Sequence, residues 1–335
     1  MRGLTLLGGI LLIGITTLCA IPEKNYSGNY QQLVNPFLGS GVRFSFRSAD
    51  GITTLQGVGF RHPRDKGSIV VLNGSTESWL KYGELFFDFY RRGYSIYSYD
   101  HRGQGLSPHL DRVHPQIGQI DDISLYAADL NALVQQVILP EKPGKLYLLA
   151  HSMGATVAID YLGRYQSPFR KVALSAPMIR INTAPYPECV AGMVVKFLHA
   201  IGQSNRYAPG KHDRDPREPF EGNKITSSNS RWQEIQRIWN QHPETVLGGP
   251  STEWVYQALN LTSKNRRNTV ARDIPVLILE AGSDSLVINP SRAEFRTIFH
   301  HFEIVDFPQS KHEILMERDP IRERAIKTIL KFFNN

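Results

Sequence analysis

The chain carries a series of short apolar runs: "SIVVLN" from Ser68, "YSIYSYD" from Tyr94, "KLYLLA" from Lys145, "KVALSAP" from Lys171, "IPVLILEAG" from Ile274 and "FEIVDF" from Phe302. Runs of this kind, rich in β-branched and aromatic residues, fit strands covered on both faces. Helix-length segments separate them around Trp79 to Arg92 and from about Asp121 to Leu139. Alternation of buried strand and helix specifies an α/β fold with a mostly parallel central sheet flanked by helices. Ahead of the first run, "VRFSFRSADGITTLQGVGF" alternates polar and apolar residues around Asp50-Gly51 and predicts a β-hairpin.

The rhythm stops between Met178 and about Asn268, where Pro, Gly and Asn break up helical patches such as "AGMVVKFLHAIG" and "RWQEIQRIWNQH". A stretch this long is more than a loop in a compact domain, so an inserted helical cap is expected over about 178–268. The chain of 335 residues accommodates one large α/β domain with such an insertion.

Residues 4–21 carry no charge and follow a single Arg, with Pro22 and charged residues behind them. The pattern predicts a signal peptide or membrane anchor over 1–21, hence export or anchoring, with 22–335 as the folded domain. As a helix the apolar run would reach roughly 27 Å, close to a bilayer's hydrocarbon thickness. The two cysteines, Cys19 and Cys189, leave a cleaved chain one thiol and no internal disulfide. A net charge of +7 suits an acidic partner. With no aromatic-basic RNA motif and no recognition-helix pattern, a membrane surface is the expected partner and nucleic acid is not.

Ser152 sits in "LLAHSMGA", where an apolar run meets the helical periodicity of "SMGATVAIDYLGRY". A Ser at a tight strand-to-helix turn, with small residues two positions to either side, has the pattern of a nucleophile elbow. The alternative is a polar residue at an ordinary strand end, and Ala150 stands where Gly is usual. A hydroxyl needs a base, and the base needs a carboxylate to hold its tautomer. Asp284 in "GSDSLV" and His312 in "QSKHEIL" each follow an apolar run, in the order Ser, acid, His. Alone, Asp284 reads as a loop cap and His312 as a solvated loop residue; together they complete a triad with Ser152. Glu280, Asp306 and Glu313 are weaker acids for that role, because of their places within a strand, at a strand end and next to the base.

An oxyanion requires two donors, expected from the backbone N–H groups of Met153 and Ser75. The remaining histidines form no HExxH or similar spacing, so no metal is expected. Trp232, Trp239 and Trp254 fall in the insertion with Met193, Val194, Val195, Phe197 and Leu198, and are candidates for apolar walls around a substrate. Any one of them fits the cap's own core equally well. Arg231, Lys211 and Arg214 are cations available to a lipid phosphate, set against the ordinary reading of solvated charge.

"YDHRGQGLS", "AHSMGA", "LSAPM", "GSDSLV" and "KHEILMERD", with "TSSNSRW" and "LGGPSTEWV" in the insertion, resemble the lysophospholipase and monoacylglycerol lipase branch of the α/β-hydrolases, the bacterial lysophospholipases above all. The resemblance implies an α/β-hydrolase fold and a cofactor-free serine esterase that cleaves the fatty-acyl ester of lysophospholipids through an acyl-enzyme on Ser152. Monoacylglycerol lipase or general carboxylesterase activity is the near alternative. Serine aminopeptidase activity is the more distant one, and it needs acidic residues to hold an amine; the insertion offers Glu188, Glu218, Glu221 and Glu234. In the relatives "DHRGQG" forms a structural turn, so the resemblance does not carry Asp100 or His101 into the site.

Overall fold

The computed structural model describes residues 21–111, 113–267 and 274–335. The expected leader, Ile21 apart, lies outside the described residues.

Eight strands form one sheet: β1 (Val42–Arg47), β2 (Thr54–Phe60), β3 (Ser68–Leu72), β4 (Ser95–Tyr99), β5 (Leu146–His151), β6 (Lys171–Ser175), β7 (Val276–Ala281) and β8 (Phe302–Phe307). The spatial order is β1-β2-β4-β3-β5-β6-β7-β8. β1, β2 and β4 pair antiparallel, and every later pairing is parallel. The β1–β2 hairpin turns at Asp50-Gly51, where Gly51 takes φ 71° and the Asp50 carboxylate accepts the N–H groups of Ile52 and Thr53.

The helices are α1 (Tyr26–Asn29), α2 (Asn35–Gly39), α3 (Gly83–Tyr90), α4 (Ser124–Leu133), α5 (Met153–Arg164), α6 (Glu188–Ala200), α7 (Asn229–Gln241), α8 (Thr252–Arg267), α9 (Arg292–Ile298) and α10 (Asp319–Asn334). The central strands alternate between two cores. Ile69, Val71 and Leu149 point to the layer of α3 and α10, while Val70, Leu72, Leu148 and Ala150 point to the layer of α4, α5 and α8. Each face is thus covered, which is why these strands read as continuous apolar runs. Burying one such side chain contributes roughly 1.5–3 kcal/mol.

The segment between β6 and β7 carries α6, α7 and α8. Its last helix buries Trp254, Ala258 and Leu261 in the same core as α5, so α8 packs as part of the body of the fold. At the other end of the chain, Ile21, Tyr26, Tyr30 and Val34 make a small apolar cluster. Beside it, ion pairs tie α3, α7 and α10 together. Arg231 on α7 meets Glu84 at 2.9 Å and Asp319 at 2.8 Å, and Arg322 meets Asp88 at 2.6 Å. Arg231 is fully buried in this network and does not line the site described below, contrary to its expected availability to a lipid phosphate. Among the described residues no helix is long and apolar enough to cross a membrane.

Candidate active site

β5 delivers Ser152 to the carboxyl end of the sheet, directly before α5. Ser152 adopts φ 51° and ψ −116°, a conformation that L-residues rarely hold and that here is enforced by three bonds. Its N–H donates to Ser175 O, and its carbonyl accepts from Ala155 N and Met178 N, all at 3.0 Å. Gly154 is required by close approach: a Cβ there would stand 2.7 Å from Asn73 O and 2.9 Å from Leu72 O, on the strand beside β5. Ala150, two residues before Ser152, is different. Its methyl sits fully buried in the core, with Leu72 and Leu174 as its register neighbours, so that position has room for a side chain.

The loop after β7 carries Asp284 and the loop after β8 carries His312. His312 Nε2 lies 2.8 Å from Ser152 Oγ, and His312 Nδ1 lies 2.6 Å from Asp284 Oδ2. Burial opposes ionisation of Asp284, but the bond to His312 and the N–H groups of Leu286 and Val287 outweigh it and hold the carboxyl below its ordinary range. The structure therefore brings together the three residues expected from their order in the sequence. Of the rival acids, Glu280 and Asp306 face each other across the β7–β8 pair, and Glu313 turns to Lys81.

Met153 opens α5, so its N–H is one of those the helix itself leaves without an acceptor. Ser75 follows β3 and lines the same cavity as Ser152 and His312. The loop that carries Ser75 is held by Glu77, Gln104 and Asp100. The Glu77 carboxylate accepts Gly74 N–H at 2.6 Å and the Tyr82 hydroxyl at 2.5 Å. Gln104 donates to Gly74 O at 2.8 Å, and Asp100 accepts from Asn73 Nδ2 at 2.9 Å and Trp79 N at 2.6 Å. "DHRGQG" is thus a strut under this loop. Its only signal in the sequence is polar residues between buried elements, which does not say what they hold.

Lys81 Nζ bridges Glu77 Oε1 and Glu313 Oε1, each at 2.5 Å. Burial works against the charge on Glu77, yet Lys81 and its neighbours hold that carboxyl down to about 2. Burial pushes Glu313 upward, with Lys81 opposing. Ligand atoms of Glu77, His151 and Glu313 lie within 4.8 Å of one another, as in a metal site, but the Lys81 ammonium already fills the cation's place between the two carboxylates. His151 is held neutral: burial pushes its ring down to about 3, and its Nδ1 lies 3.1 Å from Ser175 O.

The cavity over Ser152 measures about 380 Å³. Trp239 and Trp254 line it, with Met178, Ile181, Ile235, Ile238 and Val287 supplying further apolar wall. Trp232 does not line it; that ring packs behind, 5.9 Å from Trp239, in a cluster with Ile235, Val246 and Met316. Met193, Val194 and Phe197 are not wall residues either. They face outward on α6 because α8 takes the opposite side of that helix, leaving Phe197 63% exposed. The acidic residues expected for an amine do not converge. Glu218 lines the cavity, while Glu188 pairs with Arg266 and Glu234 with Arg237.

The family model described as "Serine aminopeptidase, S33" matches residues 63–319. The chain belongs to that family of α/β-hydrolases. Its relatives include lysophospholipase L2 of Escherichia coli strain K12, 31% identical over 285 residues, covering 83% of each chain. A Haemophilus influenzae protein named "Probable lysophospholipase L2" is 32% identical over 267 residues, covering 79% of this chain and 83% of the relative. The fold is shared with a soluble variant of monoglyceride lipase from Saccharomyces cerevisiae, with a TM-score of 0.67 at 17% identity, covering 84% of this chain and 91% of that one.

Proposed function

We propose that this hydrolase deacylates lysophospholipids, with Ser152 as nucleophile, His312 as general base, Asp284 as the carboxylate behind it, and the N–H groups of Met153 and Ser75 as oxyanion donors. The observation that carries the proposal is the continuous relay from Asp284 through His312 to Ser152 on the wall of one part-apolar cavity. His312 accepts the hydroxyl proton as Ser152 Oγ attacks the acyl carbonyl. Collapse of the tetrahedral intermediate breaks the ester bond, and the imidazolium returns that proton to the departing glycerol oxygen. Water, deprotonated by His312, then attacks the acyl-enzyme, releasing the fatty acid and restoring the serine. The apolar wall suits an acyl chain at roughly 0.8 kcal/mol per buried methylene.

The names of the relatives support the lysophospholipid over the monoacylglycerol as substrate. A membrane surface as the place of work is supported by the net charge of +7 and by the exposed Met193, Val194, Phe197 and Ile201. The uncharged run over 4–21 supports export or anchoring; sequencing the amino terminus of the protein from membrane and soluble fractions tests this, a start near Ile21 marking a cleaved signal and a start at Met1 an anchor.

Activity is tested by incubating the protein and Ser152→Ala with lysophosphatidylcholine, monoacylglycerol, p-nitrophenyl esters and a proline-amide peptide. Fatty acid release from the lysophospholipid, abolished in Ser152→Ala, is the expected result. Turnover that survives in Ser152→Ala removes the nucleophile assignment, and cleavage of the peptide alone points to aminopeptidase activity instead.

A further inference from the structure

The cavity that holds Ser152 and His312 is chemically divided. Apolar side chains line one part, while Lys211, Asp213, Arg214 and Glu218 line another. This polar wall is built firmly. Gly249 N donates to His212 O at 2.9 Å, and Arg214 N donates to Gln116 Oε1 at 2.8 Å. Gly248 and Gly249 permit the close approach: a Cβ on Gly248 would fall 2.4 Å from His212 O, and one on Gly249 would fall 2.4 Å from Lys211 Cβ. The Arg214 guanidinium lies 5.0 Å from the Trp239 ring centroid, and its Nε donates to Leu247 O at 3.0 Å.

The charges on this wall are incompletely matched. Asp213 accepts the Tyr207 hydroxyl, and Glu218 lies 3.5 Å from Arg214 Nη1. Lys211 has no carboxylate within ion-pair distance among the described residues, and Arg214 has that single long contact. The third cation of the cavity, Lys81, is neutralised between Glu77 and Glu313. Lys211 and Arg214 are therefore the cations with capacity left for an anion.

We propose that Lys211 and Arg214 form a phosphodiester subsite that binds the glycerophospho head group, with Asp213 and Glu218 facing the ammonium of a zwitterionic head. The proposal rests on the lysophospholipase reading above and deepens it, because it gives the enzyme a physical reason to prefer a lysophospholipid over a neutral monoacylglycerol with the same chain. A charge-assisted contact to phosphate is worth about a tenfold preference.

The test compares kcat/KM for palmitoyl lysophosphatidylcholine and for palmitoylglycerol in the wild type, Lys211→Glu and Arg214→Gln. Lys211 is exposed, so its replacement keeps the protein folded even if Arg214→Gln weakens the packing on Trp239. The ratio of the two values is expected to fall about tenfold in Lys211→Glu, through KM for the phospholipid. Equal change for both substrates, or no change, overturns the proposal. Glycerophosphocholine binding to Ser152→Ala, followed by calorimetry, separates the subsite from the chemistry. Binding lost in Ser152→Ala/Lys211→Glu supports the subsite even where p-nitrophenyl butyrate turnover survives Ser152→Ala and the nucleophile assignment fails. Binding that is absent, or unaltered by Lys211→Glu, overturns the subsite while leaving Ser152-dependent hydrolysis intact.

Discussion

The Glu77 carboxylate accepts the backbone N–H of Gly74 at 2.6 Å, so an acid three residues along the chain fixes the turn that carries Ser75, the proposed oxyanion donor. The same carboxylate meets Lys81 at 2.5 Å, and that ammonium also meets Glu313, the neighbour of His312. The loops that carry Ser75 and His312 are thereby tied to one buried cation.

Glu77→Gln keeps the shape but removes the charge that anchors Gly74. Because Lys81 retains Glu313, the variant is expected to fold, with kcat lowered by about tenfold or more and KM little altered, as for a mispositioned oxyanion donor. Steady-state kinetics with a p-nitrophenyl ester, alongside a thermal melt, checks this; an unchanged kcat would show that the turn holds without Glu77.

Asp284→Asn replaces the acceptor of the His312 Nδ1 proton with a side chain that can present N–H to it instead. The imidazole then settles in the wrong tautomer to accept from Ser152, and kcat is expected to fall by roughly 10³–10⁴ with the fold unchanged. Loss of less than tenfold would return the acid's role to another carboxylate.

Ser152 pays a conformational cost for its position. At φ 51° and ψ −116° its backbone suits glycine better than any L-residue. Ser152→Gly and Ser152→Ala both delete the hydroxyl, so their difference isolates the backbone. Urea unfolding is expected to show Ser152→Gly the more stable by about 1–2 kcal/mol. Equal stabilities would mean that the elbow stores no strain.

His151 gives the fold a pH dependence of known sign. Its folded value is about 3 against 6.5 for the free side chain, so the unfolded chain takes up a proton that the folded chain refuses. The stability that this contributes is complete above about 6.5 and is lost as pH falls toward 3, at roughly 1 kcal/mol per pH unit. His151→Gln keeps a donor for Ser175 O and has no proton to gain. Its melting temperature should therefore fall less than that of the wild type between pH 7 and pH 4, and parallel curves would refute the assignment.

Ala150→Gly restores the more usual pentapeptide around Ser152 but removes a methyl buried on the sheet face that α4, α5 and α8 cover. The expected result is a loss of about 1 kcal/mol in denaturant unfolding with no gain in kcat.

Local patterns in the chain determined the layered sheet, the hairpin at Asp50-Gly51 and the elbow at Ser152, because periodicity and turn chemistry act between near neighbours. Ser152, Asp284 and His312 were legible for a related reason: in a parallel sheet each loop past a strand's carboxyl end arrives at the same edge, so order along the chain becomes proximity in space. Only the tertiary structure decided which side of a helix met a neighbour. Trp232 and Trp239 lie seven residues apart on one face of α7 and share a cluster with Met316, yet only Trp239 reaches the cavity. Phe197 turns to solvent because α8 covers the other face of its helix, and Arg231 is drawn inward by Glu84 and Asp319 from distant parts of the chain. Glu77, Lys81 and Glu313 likewise became one unit only when two loops far apart in sequence met, since the partner of a buried charge is set by packing rather than by spacing.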